Sequence, residues 1–310
     1  MWLHLIIVGM TGEYLLLPHN NHVVDGVNKD IHPLYGDPKE YYLDLAKNWE
    51  DPYGIPIVEH FSNIRVVRDD HLVGSKVRGG DCLISSLPDK IDTIVYVQPR
   101  TGLAGVSILD VAKRHDLDVK LFMPSSKRIS DHQACCIERG AKVEFHRIAA
   151  MPNLNKIAKD WADQHENAFF VPLGLKHEMV TAGIVKTASK IREPEVVYTA
   201  TSTGVLTRGL QIAWPNAEFV SVCVSRNMKA GELGKAEPIS DPLQFTTSEK
   251  KENLPAFPTI DTYDGKVWKY IPKDGKKDIL FWNVGKEPIL QNLGLPDTID
   301  SYREWPKNVE

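Results

Sequence analysis

Cysteine is scarce in this chain. There are four in 310 residues, Cys82, Cys135, Cys136 and Cys223, and no two stand in a CxxC pair. A disulfide scaffold and a cysteine-rich zinc module are both excluded, and a reducing compartment, the cytoplasm, is the expected setting. Adjacent Cys135 and Cys136 read as small apolar residues on a helix. No apolar run is long enough to cross a membrane. Residues 2–9, WLHLIIVG, are apolar but short and lack a basic flank, so they predict a buried strand rather than a signal peptide. Charge of one sign is also missing. Lys plus Arg number 37 and Asp plus Glu 41, a net of −4. That excludes a broad electrostatic nucleic-acid surface, though not a local basic groove. GxSxG, HExxH, GxGxxG and GK[ST] are all absent, which leaves hydrolase, zincin, classical dinucleotide and Walker-loop readings without a motif. His19 and His22 in PHNNH have no acidic cluster beside them, so no metal site is expected. There is no repeat and no low-complexity tract.

What is present suits a folded enzyme subunit. The chain is 42% apolar and 25% charged, and its length allows two domains or one large α/β unit. Residues 18–60 are rich in Pro, Gly, Asn and Tyr and read as an irregular arm with one helix at 38–49. From residue 64 short β-branched runs alternate with helical patterns. Strands are predicted at 64–68, 93–98, 119–124, 142–147, 168–173, 195–200, 218–225 and 278–284. Helices are predicted at 104–115, 130–139, 153–165, 179–191 and 204–213. Most of the strand runs are continuously apolar, as in parallel strands covered on both faces. The alternation predicts an α/β fold with mostly parallel sheets. Residues 226–277 break the rhythm and read as loops, with one strand at 267–271. Trp268, Trp282 and Trp305 read as core residues.

Ligands in such folds sit where strand carboxyl ends enter helices, and three loops qualify. QPRTGLAG (98–105) follows a strand and opens a helix. Gly102 and Gly105 allow close backbone approach, Thr101 can cap the helix or bind a carboxylate, and free amides make an anion site. It reads equally as a plain turn with a threonine cap. TATSTG (199–204) offers Thr201, Ser202, Thr203 and Gly204, hydroxyls and amides that suit a phosphate held without a metal. The alternative is a polar helix cap. GSKVRGG (74–80) places Lys76 in a glycine-bounded turn, where it either reaches a ligand or is an ordinary surface lysine.

Taken in order, these stretches resemble fold-type II pyridoxal-phosphate enzymes, the tryptophan-synthase-β-like family of cysteine synthase, threonine synthase, D-cysteine desulfhydrase and aminocyclopropane-carboxylate deaminase. IRVVRDDHLVGSKVRGG (64–80) is similar to a strand followed by K-R-[DE]-D and G-N-K-x-R. VQPRTGLAGVSILDVAKRHDLDVKLFMP (97–124) is similar to the stretch built on S-G-N-T-G and ending in M-P. DHQACCIERGAKVEF (131–145) resembles the next helix and its L-G-A-K-V-E strand. LKHEMVTAG (175–183) resembles H-x-x-T-T-G, TATSTGVLTRG (199–209) stands where the family has its phosphate cup, and WNVGKEP (282–288) resembles G-x-G-L-K-D-P. The resemblance covers about 55–225 and 278–290 of the chain.

The resemblance implies two three-layer α/β domains with the cofactor between them, the smaller over 62–172 and the larger over 1–61 plus 173–310. It implies pyridoxal 5'-phosphate as cofactor and an amino acid as substrate. Lys76 would hold the cofactor covalently; Thr201, Ser202, Thr203 and Gly204 would hold its phosphate; Asn283 would lie near the pyridine nitrogen. Thr101, Gly102 and Gly105 would line the substrate carboxylate. The implied reactions are elimination, replacement, deamination or decarboxylation at Cα or Cβ, a lyase or transferase. A homodimer without membrane attachment is implied. The pattern also departs from the family. Leu103 stands for the Asn of S-G-N-T-G, the phosphate cup has fewer glycines, and Ser75 replaces the Asn before the lysine. Two further readings follow from these departures. Divergent enzymes resembling the family accompany DNA-base hypermodification in some phages, acting on an amino acid conjugated to the base, with nucleic acid as substrate only. A non-catalytic protein that kept the fold, or a phosphate or nucleotide binder, is the other.

Overall fold

Val, Ile, Phe and Tyr dominate the runs that become strands, because branched and aromatic side chains pack well on a pleated surface buried on both faces. The computed structural model describes residues 23–24, 27–28, 37–147, 150–226, 228, 231–291 and 294–304. The strand expected at 2–9, His19, His22 and Trp305 lie outside the described residues. β1 (Val23–Val24) and β2 (Val27–Asn28) form a short antiparallel pair.

The larger sheet has six strands. β4 (Ile64–Arg68), β9 (Val196–Thr201) and β12 (Ile279–Asn283) make its centre, and every residue of the three is buried. β12 lies between the other two and runs parallel to both, with Ile279 opposite Val196 on one side and Ile64 on the other. β10 (Glu218–Cys223) and β11 (Glu237–Ser240) extend the sheet in parallel beyond β9. β3 (Val58–Phe61) closes the other edge, antiparallel to β4. The smaller sheet has four parallel strands in the order β7 (Lys142–His146), β6 (Asp118–Pro124), β5 (Thr93–Val97), β8 (Ala168–Phe170). The expected boundary at residue 62 assigns β4 to the smaller unit, yet β4 pairs within the six-stranded sheet. Its five buried residues need cover on both sides, and β12 and β3 supply the hydrogen-bonded flanks.

Helices α1 (Pro38–Leu45), α2 (Lys76–Ile84), α3 (Ala104–Arg114), α4 (Asp131–Glu138), α5 (Met151–Asp163), α6 (Glu178–Ala188), α7 (Val205–Ala213) and α8 (Ile299–Glu304) complete the order. Their ends follow local chemistry. Asp37 caps α1 ahead of Pro38, and Ser130 with Gln133 forms a capping box on α4. On α5, Leu154, Ala158 and Ala162 recur at helical spacing and bury against Val95, Val97 and Phe122 of the smaller sheet. Cys135 and Cys136 are buried on α4, and all four cysteines are free.

Three local expectations are corrected. Residues 76–84, read as a glycine-bounded turn at their start, are helix α2. A glycine from each helix serves packing between α2 and α6: a Cβ on Gly79 of α2 would lie 2.7 Å from Val180 Cγ1, and one on Gly183 of α6 2.9 Å from the Cβ of Cys82. Close contact with α6 outweighs the poor helix propensity of glycine. Residues 267–271 are not a strand: 267–270 end a 3-10 helix, Asp264–Tyr270, and Ile271 caps it. The segment 226–277, read as loops, contributes β11. Trp282 is buried against Trp214, and Trp268 packs on Phe257 and Phe281. Among the described residues no helix is long and apolar enough to cross a membrane.

Candidate active site

The carboxyl ends of strands from both sheets converge on one cleft. Its lining includes Pro99 after β5, Leu173 and Gly174 after β8, Ser202 after β9, Val284 after β12, and Gly74 to Lys76 a few residues beyond β4. The cleft encloses about 860 Å³ of atom-free space, mouth included. This is the position at which open parallel sheets bind ligands.

Lys76 is the first residue of α2. The backbone N–H of Ser75 donates to the carbonyl of Val284 at 2.8 Å, which ties the start of α2 to the end of β12. The side chain keeps some surface open to the cleft, while the protein atoms around its amine strip away most of its water. Burial alone pushes the amine below its ordinary value of 10.5, with no charged neighbour contributing. Lys76 is thus a half-buried cleft residue rather than a fully exposed one. The sign of the linkage gives a test. A buried lysine with depressed proton affinity destabilises the fold at neutral pH, and the loss is recovered as pH rises from the folded value to 10.5. Lys76→Met should therefore raise the melting temperature at pH 7. Its advantage should shrink as pH approaches 10.5. Each tenfold depression of proton affinity corresponds to about 1.4 kcal/mol. A pH-independent difference between the two proteins in thermal melts would show that Lys76 stays solvated.

Gln98, fully buried at the end of β5, shapes the loop that follows. Its amide Nε2 donates to the carbonyls of Pro99 at 2.8 Å and Gly102 at 2.9 Å. Its Oε1 accepts from the N–H of Gly105 at 2.8 Å. Ser130 Oγ, from the α4 cap, donates to the carbonyl of Arg100. Thr101 and Gly102 consequently line the cleft. Gly105 does not. A Cβ there would lie 2.5 Å from Gln98 Oε1, so its absent side chain makes room for the glutamine rather than for a ligand.

The loop after β9 divides in the same way. Ser202 and Thr203 line the cleft. Thr201 faces away. Its hydroxyl meets Thr207 Oγ1 at 2.8 Å and Ser221 Oγ, in a buried hydroxyl network that fastens β9 to α7 and β10. Gly204 stands at the N-cap of α7 with φ +74° and supplies no side-chain cap, so the first amides of the helix are left for another acceptor. Gly174, at φ +77°, packs on Thr203; a Cβ there would lie 2.5 Å from Thr203 Cγ2.

The remaining wall comes from the segment between β11 and β12. Phe245, Ile260, Thr262 and Tyr263 line the cleft. Asp264 anchors this wall. It is fully buried, accepts from the N–H of Ile260 and of Val284, each at 2.8 Å, and burial pushes its carboxyl up to about 7. Asn283, expected at the cofactor ring, is fully buried and does not line the cleft. Both of its amide hydrogens are spent, on Asp70 Oδ1 and the carbonyl of Pro258, each at 2.9 Å. Asp70 in turn holds Arg68 through two bonds of 2.8 Å. Asn283 therefore belongs to a structural ion-pair network.

Sequence reasoning missed Ser107, Thr262, Tyr263 and Phe245. Ser107 lies one helical turn after Leu103 on α3, a spacing that points both toward the same side. The others lie in the irregular segment, where no periodicity marks them. The hydroxyl oxygens of Ser107 and Thr262 are buried and have no hydrogen-bond partner among the described residues, although both residues line the cleft. Buried hydroxyls are nearly always satisfied, so these two are free to meet a polar group within the cleft. Among the described residues no three His, Cys, Asp or Glu side chains gather as a metal site.

No family model and no curated protein matches the chain. Solved structures do. An aminocyclopropane-carboxylate (ACC) deaminase homologue superposes with a TM-score of 0.63 at 17% identity, over 80% of this chain and 94% of its own. Threonine deaminase isoform 2 from Solanum lycopersicum gives 0.63 at 13% identity, over 88% and 96%. A pyridoxal 5'-phosphate-dependent aspartate racemase gives 0.56 at 12% identity, over 83% and 96%. The cleft between parallel sheets, with Lys76 beside it, is thus set in the tryptophan-synthase-β-like fold that these enzymes share.

Proposed function

We propose that the chain is a pyridoxal 5'-phosphate enzyme acting at Cα or Cβ of an amino acid, with Lys76 holding the cofactor. One observation carries this reading. An amine whose proton affinity burial lowers shares a cleft with an uncapped helix N-terminus and two unpartnered hydroxyls. Those features suit the aldehyde, the phosphate and the ring polar atoms of that cofactor in turn. The fold supports the same assignment. The smaller domain is built on the four-stranded sheet and the larger on the six-stranded one, with a second copy of the chain as expected partner.

When bound, pyridoxal phosphate supplies an electron sink for bonds broken at Cα. The chain supplies position, proton transfer and exclusion of water. The Lys76 amine, uncharged at lower pH than usual, would hold the cofactor aldehyde with loss of water and, once displaced by the amine of the substrate, would be free to carry a proton to or from Cα. Ser202, Thr203 and the first amides of α7 would hold the phosphate. Thr101 and the Gly102 amide would receive the substrate carboxylate. Ser107 and Thr262 would satisfy polar atoms of the ring, in place of Leu103 and Asn283, which offer it no hydrogen. Leu103, Ile260 and Val284 keep water away from Cα.

The test is to add pyridoxal phosphate to the purified protein, reduce with borohydride and map the peptides. A visible band should form, and the reduced cofactor mass should appear on Lys76. Free amino acids, and amino acids linked to a nucleobase, are then screened for their effect on the band and for turnover. Cofactor mass spread over several surface lysines, with none on Lys76, would sink the reading.

A further inference from the structure

Apart from Lys76, no charged side chain is found among the described residues lining the cleft. Its other polar groups are neutral hydroxyls and backbone amides. Under the reading above, on which this inference rests, Lys76 is engaged either by the cofactor or by the proton at Cα, and the substrate carboxylate meets the loop of Thr101 and Gly102. Any further charge on the substrate would enter a largely apolar cleft with nothing of opposite sign to meet it, at a high desolvation cost.

The apolar groups are placed with care. Leu103 lies against the turn that carries Lys76, its Cδ1 being 3.4 Å from a Cβ built on Gly74 and 2.7 Å from one built on Gly285; Ile260 Cδ1 is 3.5 Å from the latter. Tyr263 spends its hydroxyl on the carbonyl of Ala200 at 3.3 Å, which leaves its ring for contact. Phe245 meets that ring edge to face, centroids 6.4 Å apart at 82°.

Phe245 is also unusual in its setting. Gln244, Thr246, Thr247 and Ser248 around it are exposed, and the one aromatic turns inward. Its loop is pinned from beneath. Lys266, fully buried, donates to the carbonyl of Gln244 at 2.9 Å, and Lys269 bridges Asp241 at 2.8 Å and Glu249 at 2.6 Å. The ring packs against the hydrophobic cluster of Val222, Phe257 and Phe281 and, from there, lines the cleft.

We propose that the cleft takes an amino acid with an uncharged, apolar side chain, and that Phe245 is the residue that sets this preference. The experiment uses the cofactor-loaded protein and follows binding through the visible band and by calorimetry. Leucine and phenylalanine are compared with aspartate and 2,3-diaminopropionate. Wild type should bind the apolar pair at least about tenfold more tightly, the range one or two lost apolar groups produce. Phe245→Ala should narrow that ratio about tenfold while the cofactor still attaches at Lys76, and Phe245→Lys should shift it toward aspartate. Equal or tighter binding of the charged pair by loaded wild-type protein overturns this inference alone. A protein that never takes up the cofactor at Lys76 overturns it together with the functional reading.

Discussion

Alanine at position 76 should leave a folded protein without turnover. The Lys76 amine makes no hydrogen bond or ion pair with any described residue, so its removal leaves no partner stranded. It also removes a poorly solvated amine from the start of α2. Lys76→Ala should therefore melt no lower than wild type. Activity should nonetheless fall on the order of 10⁴-fold, because one group serves both as the point of cofactor attachment and as the carrier of the Cα proton. Lys76→Arg should be equally inactive, since a guanidinium keeps its charge at neutral pH and cannot attack a carbonyl. Pyridoxal phosphate should bind Lys76→Ala only as a dissociable ligand. Dialysis and borohydride reduction read this directly: a band that survives both in the alanine protein assigns the attachment to another lysine.

Gly204→Ala should be strongly damaging. The backbone there has φ +74°, which costs a non-glycine residue about 1–2 kcal/mol before any contact is counted. The new Cβ would also lie 2.3 Å from the carbonyl oxygen of Glu232, a backbone atom that cannot swing away, and 2.5 Å from Arg208 Nη1, which can. Something in the first turn of α7 must shift. The loss should appear as a lower melting temperature and as a weakened anion site. A comparison of two ligands separates these effects. Affinity for pyridoxal phosphate should drop about tenfold or more, as one misplaced charge-assisted hydrogen bond costs 1.5–3 kcal/mol, whereas affinity for pyridoxal, which lacks the phosphate, should change little. Equal losses for both ligands would place the phosphate elsewhere.

The central strands were legible because burial on both faces leaves a continuous apolar run, as in VVYTAT and ILFWN, whereas the half-exposed edge strands β3 and β11 were not. Positions of ligand loops followed from strand–helix order alone, and Lys76, Thr101, Gly102, Ser202 and Thr203 all reach the cleft. Orientation within a loop was not legible. Thr201 and Ser202 are neighbours of similar chemistry, yet the strand pleat turns one into the sheet and the other toward the ligand. Gly105 and Gly204 looked alike as permissive turns, but one accommodates the Gln98 side chain and the other a left-handed backbone. Asn283 was assigned by motif position, while its partners Asp70 and Pro258 lie far away in sequence. Phe245 and Thr262 sit in a segment without a periodic pattern, where only the tertiary fold says which side chain turns inward. Helix α2 was hidden by its own glycines, because the packing against α6 that requires them is invisible in one chain of letters.

That helix has a mechanical consequence. Val77, Leu83 and Ile84 of α2 are embedded in the hydrophobic cluster of Tyr96 and Leu121, on the four-stranded sheet, while Cys82 is embedded in the cluster of Val67 and Trp282, on the six-stranded one. α2 is thus a dowel driven into two blocks at once. It cannot slide without opening one block or the other to water. The backbone of Lys76 at its tip is consequently a fixed point of the molecule, and under the proposed function any closure around a ligand would be performed by the loops that face it.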